Sequence, residues 1–365
     1  MTRRLAPLGG LAILAVIINH AAGWGLIAMY WWTNQYRTVS VPNYEQFGSP
    51  TYYILLSMKQ LPIFAVPAFL VISGFFIAFS ARGEHSALSW KMIRTRLADI
   101  LIPFAIWSII FLMVLTPANI LSPSDYIHQL LYGTGAYFYI PLICQCYLIA
   151  PFLIDAVKNR PAWVLGIAGA IQLVFIICRE ASIYGMRNNI LDLLCFLPEI
   201  LFLKWIFFFV LGMALGLHNY RFQQWFARTR WGWLAALIVL AVLNILEPDI
   251  LFHQTGIDLS GGIATLIETL YAVAFLICFL AFDNIQIPFA NSLARLGGKI
   301  YGIYLLHPQV LLVFAKLVYH IAPALLEMQV LFLFLLVVVG LGCPLLLMFL
   351  VTHSPARRAY RYLFG

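Results

Sequence analysis

The sequence predicts an all-α, polytopic integral membrane protein: a helical bundle of about ten transmembrane helices with N- and C-termini cytoplasmic. Three observations carry that expectation. Of the 365 residues, 63% are hydrophobic and only 10% are charged; soluble domains carry about 25% charged residues and need them to cover their surface. The apolar residues also come in runs as long as Val330 to Val351, and about 20 such residues cross the hydrocarbon layer as a helix. Finally, Lys and Arg gather in alternate intervals between the runs, which is the positive-inside pattern. The alternation of barrel strands is not seen in the sequence.

The first run follows Arg3 and Arg4 and continues to about Trp32 without a small-residue cleavage site, so it reads as a retained helix rather than a signal peptide. The spans fall at roughly 8–31, 52–81, 98–116, 137–156, 162–179, 195–217, 232–247, 261–282, 296–318 and 329–352. No internal repeat or low-complexity linker divides them, so residues 1–365 read as a single membrane domain. With the N-terminus inside, 16 of the 22 Lys and Arg face the cytoplasm. They are Arg3 and Arg4; Arg82, Lys91, Arg94 and Arg96; Lys158 and Arg160; Arg221, Arg228 and Arg230; Arg295 and Lys299; and Arg357, Arg358 and Arg361. The formal net charge of +8 therefore reads as orientation in the lipid bilayer, with no nucleic acid implied. The outer intervals 33–50, 117–136, 180–192 and 248–260 are rich in Tyr, Asn, Ser, Asp and His. They read either as an outer vestibule or as plain solvated loops.

All six cysteines lie in or beside apolar segments. Cys144 and Cys146, two apart, point to nearly opposite sides of a helix. No metal-ligand spacing appears, so no metal is expected.

Ionisable groups at membrane depth are costly and mark function by default. His20 falls about 16 Å from the inner end of the first span, and His307 a similar distance into the ninth. Ser73 lies about 12 Å from the inner end of the second. Gln145, Lys204 and Glu268 fall near the middle of the fourth, sixth and eighth spans. Each has a bland alternative: a hydrogen-bonded core histidine, a packing serine beside Gly74, or an ion pair of Lys204 with Glu268 or Glu199. Together they indicate a wet or substrate-lined interior, which suits an enzyme or a transporter.

Six stretches then carry a resemblance: Leu11-Ala-Ile-Leu-Ala-Val-Ile-Ile-Asn-His20, Val66-Pro-Ala-Phe-Leu-Val-Ile-Ser-Gly-Phe75, and Lys91-Met-Ile-Arg-Thr-Arg-Leu-Ala-Asp-Ile-Leu-Ile-Pro103; then Tyr137 to Pro151, Phe207 to Gly216, and Gly298-Lys-Ile-Tyr-Gly-Ile-Tyr-Leu-Leu-His307-Pro308. In order and spacing they resemble acyltransferase family 3, membrane proteins that O-acylate cell-surface and secreted glycans. The family usually has an Arg eleven residues before the His of helix 1 and an Asp three before that Arg; here these positions are Gly9 and Ala6. Its inner Arg-x-x-Arg reads Arg96-Leu-Ala-Asp99, with Arg94 nearby.

The resemblance implies transfer of an acyl group, acetyl above all, from acyl-CoA to a hydroxyl of a glycan or lipid-linked sugar, in a bacterial plasma (inner) membrane. Acyl-CoA is then a co-substrate, and no cofactor is implied. His20 is the expected general base, with His307 as a second base or a positioning group. Ser73, Tyr301 or Tyr304 would stabilise the oxyanion. Arg94 and Arg96 would hold the donor phosphates, and Gln145, Lys204 and Glu268 would line the substrate path. The competing readings are a glycan or lipid transporter or exporter, and a non-catalytic partner in polysaccharide synthesis.

Overall fold

A computed structural model describes residues 2–81, 88–115, 122–125, 127, 137–197, 200–256, 265–282 and 285–365. Among these, eight helices are long and apolar enough to cross a membrane. They are α1 (Thr2–Tyr30); α2 (Pro50–Gln60) continued through a 3₁₀ turn into α3 (Ala65–Ser80); α4 (Trp90–Leu115); α5 (Tyr139–Asn159); α6 (Pro161–Ile183); α8 (Ile206–Thr255), which follows the short α7 (Asn189–Phe196); α11 (Ile300–Ile321); and α13 (Gln329–Thr352). The 50-residue α8 is interrupted at His218, whose φ of −115° and ψ of 32° are not helical. The apolar α9 (Leu266–Ala281), at 16 residues, is shorter than these eight. Short helices α10 (Ala290–Gly297), α12 (Ala324–Glu327) and α14 (Tyr360–Phe364) complete the chain.

Local chemistry sets several helix starts. Ser49 caps α2, its Oγ accepting from the Tyr52 amide at 3.1 Å, with Pro50 in the first turn, where no N–H is needed. Thr265 and Glu268 form a reciprocal capping box at the start of α9. Prolines 7, 103, 151, 248, 308 and 344 sit inside helices, a placement that membrane helices tolerate because neighbours re-satisfy the freed backbone.

Two boundaries differ from the sequence reading. The sixth span, expected from 195, begins only at Ile206. Leu197, extended at ψ 132°, precedes Pro198, and a residue before proline is disfavoured in the helical region. The interval 218–231, expected as an inner loop, is helical beyond His218. There Arg230 lies 5.5 Å from the ring of Trp231 and 5.7 Å from that of Phe282, cation–π contacts that hold the basic end of the arm near the apolar surface. Arg82, Glu199 and most of 117–136 lie outside the described residues.

The core is centred on α1, which packs against α2, α3, α10, α11 and α13. A close seam joins α3 to the first arm of α8. A Cβ on Gly74 would stand 2.1 Å from the Phe209 carbonyl oxygen, and one on Gly212 would stand 2.2 Å from that of Val71. Only glycine permits this backbone approach, the small-residue packing of membrane helices. The seam fixes the height and azimuth of Ser73, next to Gly74.

Candidate active site

The helices bring His20 and His307 together. α1 and α11 pack on each other and set the two imidazole rings 5.3 Å apart at an interplanar angle of 47°. His307 is wholly buried, 0% exposed. Its Nδ1 lies 3.1 Å from the Ile303 carbonyl oxygen, one turn earlier. A carbonyl only accepts, so Nδ1 carries the proton and Nε2 is left as an acceptor. That Nε2 is buried and has no protein partner. His20 is half-buried, so the pair has one accessible member and one hidden one.

A polar track runs inward from the pair. The Tyr304 ring is 5.7 Å from that of His307 and 5.9 Å from that of Tyr139 on α5. Tyr139 Oη is 3.2 Å from Ser73 Oγ, and Tyr147 lies two turns further along α5. Arg94 and Arg96 are both exposed in the first turns of α4. The track thus leads from the histidines through the Tyr304 and Tyr139 rings to Ser73. Tyr137 closes its far side: its hydroxyl donates to the Leu305 carbonyl at 2.9 Å and accepts from Gln309 Nε2 at 3.4 Å.

Four sequence candidates sit elsewhere. Gln145 pins the chain before α8: its Nε2 donates to the Ile200 carbonyl at 2.8 Å, and its Oε1 accepts from the Phe202 amide at 3.3 Å. Lys204 is not mid-span but in a 3₁₀ turn ahead of α8, with Nζ donating to the Leu197 carbonyl at 2.8 Å. Glu268 is not mid-span either; it lies in the first turn of α9, where its Oε2 accepts from the Thr265 amide at 3.2 Å. Tyr301 donates its hydroxyl to the Ile100 carbonyl and ties α11 to α4. Each of these contacts serves backbone positioning.

Tyr139, Tyr147 and Lys59 join the neighbourhood of the site without having been singled out in the sequence. The two tyrosines lie within the quoted 137–151 stretch, where aromatic hydroxyls in an apolar helix were the available signal. Lys59 signals itself as a cation seven residues into an apolar run.

A separate cavity of about 760 Å³ opens at the α5–α6 turn and the His218 break, lined by Lys158, Asn159, His218, Asn219 and Arg221 among others. No residue of α1 or α11 lines it. Among the described residues, no group of three or more His, Cys, Asp or Glu is placed to hold a metal ion.

A family model described as an acyltransferase domain matches residues 9–349, nearly the whole chain. The protein belongs to acyltransferase family 3. The matched region contains both histidines, Ser73 and the two arginines of α4, and runs from within α1 to within α13. No curated protein and no solved structure matches the chain. It is a multi-pass membrane acyltransferase.

Proposed function

We propose that this acyltransferase moves an acyl group, acetyl in the first instance, from acyl-CoA to a hydroxyl of a glycan or lipid-linked sugar in a bacterial plasma membrane. The contact between His20 and His307 inside a membrane bundle of this family carries the reading. An alcohol is a weak nucleophile at neutral pH, and an imidazole within reach takes its proton as the new bond forms. His20 is the base because it is the accessible member of the pair. The partnerless Nε2 of His307 accepts from His20 in the substrate complex, leaving the other nitrogen of His20 free for the hydroxyl. Such catalytic hydrogen bonds commonly tighten only once substrate is bound.

The donor approaches from the inner face, where Arg94 and Arg96 receive its phosphates by charge-assisted hydrogen bonds. Its thioester end then lies along Tyr147, Ser73, Tyr139 and Tyr304. Tyr304, its ring 5.7 Å from that of His307, is the hydroxyl donor beside the pair, with Ser73 beyond Tyr139; Tyr301, committed to Ile100, is not assigned to the oxyanion.

The test is label transfer from acetyl-CoA to host glycans and lipids in membranes holding wild type or His20→Ala at equal abundance. Label on a glycan with wild type, reduced about 10²- to 10⁴-fold in the variant, is the expected result. Full transfer by the variant removes His20 from the chemistry. Transport of an unlabelled glycan without any transfer would favour the transporter reading.

A further inference from the structure

The cavity of about 760 Å³ beside the α5–α6 turn takes no part in the chemistry described above. Its volume falls within the range of about 300–1,000 Å³ that small-molecule sites occupy. It is built where α5 ends at Asn159, α6 starts at Pro161 and α8 breaks at His218. His218 Nε2 donates to the Val157 carbonyl at 3.2 Å, since a carbonyl only accepts. That bond ties the break in α8 to the last turn of α5 and fixes the wall between them.

The lining suits an anion. Lys158 and Arg221 carry positive charge, Asn159 and Gln223 carry amide donors, and among the described residues no Asp or Glu lines the cavity. Asp155, one turn before Asn159 on α5, is exposed outside the lining. The 23-residue α6 begins at this wall with Pro161, and no side chain caps its first turn, so the positive end of its dipole lies at the cavity. Asn219 also lines the cavity, and its Oδ1 is buried without a partner; a hydroxyl or water brought in by an occupant would satisfy it.

The level of the cavity points to a source. Tyr220, Trp225 and Trp231 stand exposed along the arm of α8 that follows the break, and such amphipathic rings gather at the headgroup level of a bilayer. The competing account is that Lys158 and Arg221 only orient the chain. Orientation requires positive charge on this side of the membrane, but neither a cavity nor a wall without carboxylates.

We infer that this cavity is a second binding site, whose ligand is a phosphate group. Arg221 receives phosphate oxygens through its planar fork, and the start of α6 adds its dipole. Basic pockets between membrane helices hold the headgroups of anionic lipids by the same chemistry, and the level of the cavity favours that source over a soluble phosphate compound. No residue of α1 or α11 lines the cavity, so the assignment is independent of the chemistry at the histidine pair.

The experiment titrates full-length protein in neutral detergent with short-chain phosphatidylglycerol, short-chain phosphatidylcholine and inorganic phosphate, with binding followed by calorimetry. Phosphatidylglycerol should bind saturably and more tightly than phosphatidylcholine. Arg221→Gln should weaken that binding about 10-fold or more, the scale of a lost charge-assisted hydrogen bond. Asn159→Asp, which adds a carboxylate at nearly constant shape, should weaken it by as much. Arg228→Gln, on the same arm but outside the lining, should bind as wild type does. Binding of inorganic phosphate with this pattern of variants, and no preference between the two lipids, supports the site and assigns it to a soluble phosphate compound. Absence of saturable binding of either anion overturns the site. So does an equal loss in Arg221→Gln and Arg228→Gln, the mark of diffuse surface charge. If Arg221→Gln does not accumulate, Asn159→Asp carries the comparison with Arg228→Gln, and unchanged affinity in Asn159→Asp overturns the site.

Discussion

Substituting Gly212→Ala tests whether the α3–α8 seam holds the site in shape. The new Cβ would meet the Val71 carbonyl oxygen at 2.2 Å and the Val71 carbonyl carbon and Cα at 2.8 Å, while ordinary contact begins at 3.4 Å. The obstacle is backbone, so no rotamer change relieves it. The helices must part by about 1.2 Å at this level, and overpacking of that kind costs about 1–3 kcal/mol. Part of the shift falls on α3 at Ser73, two residues after Val71, and strains its 3.2 Å contact with Tyr139. Gly212→Ala should therefore lower the melting temperature of the purified protein and reduce acyl transfer together. Gly166→Ala is the control, because a Cβ there meets nothing within 4 Å. Thermal unfolding followed by size-exclusion fluorescence, with label transfer on the same preparations, provides the measurement. Wild-type stability and activity in Gly212→Ala would refute the claim that backbone contact at this seam determines the site.

Replacing Arg94 and Arg96 together by Gln should weaken acetyl-CoA binding about 10- to 100-fold, from loss of charge-assisted hydrogen bonds; titration of acetyl-CoA into folded protein checks it, and unchanged affinity moves the donor elsewhere. His307→Ala should retain the fold yet lose about 10²-fold in kcat, because the acceptor beside His20 is gone; undiminished kcat would confine His307 to packing. At the C-terminus, Arg361 donates to Asp99 Oδ1 from Nη2 at 2.7 Å and from Nε at 3.1 Å, and the Asp99 carboxylate holds the guanidinium charged above its ordinary range. Asp99→Asn should leave global stability nearly unchanged, since the pair is exposed, but speed trypsin cleavage after Arg357 and Arg358; an unaltered cleavage rate would mean that the Trp107 contact to the Leu363 carbonyl at 2.8 Å suffices to dock the tail.

The bundle was legible because membrane burial leaves a strong mark on sequence: long apolar runs and alternating cations report crossings without knowledge of packing. Estimated depth brought His20 and His307 to one level, yet their contact depends on azimuth, which α1 and α11 acquire only by packing. Lys204 and Glu268 were misplaced for a related reason. An apolar run does not reveal where the helix within it starts, and Pro198 and the Thr265 cap move both residues to helix entrances. Tyr139 and Tyr147 were hidden by the same composition that reveals the fold, since aromatic residues fill apolar helices whether or not their hydroxyls are used. Gln145 was read as a substrate group because a mid-span amide is unusual. The broken chain before α8 supplies the carbonyl and amide that employ it.

The position of the family arginine in helix 1 is occupied here by Gly9, and packing makes that loss consistent with the rest of the chain. A Cβ on Gly9 would already meet Ile300 Cδ1 at 2.7 Å, and the neighbouring Gly10 would meet the Leu293 carbonyl oxygen at 1.9 Å. α1 is thus pressed backbone to backbone against α10 at Gly10, while at Gly9 the Ile300 side chain would have to turn aside to admit a longer residue. Arg4 does not take over, because its Nη1 donates to the Phe279 carbonyl at 2.7 Å and its Nη2 to that of Ile285 at 2.5 Å, which fastens the α9–α10 connection to the base of α1. The inner half of α1 is therefore a packing surface. Gly10→Ala should consequently lower the melting temperature of the bundle, because the Leu293 carbonyl oxygen stands 1.9 Å from the new Cβ, and an unchanged melting temperature in that variant would show that the seam between α1 and α10 opens freely.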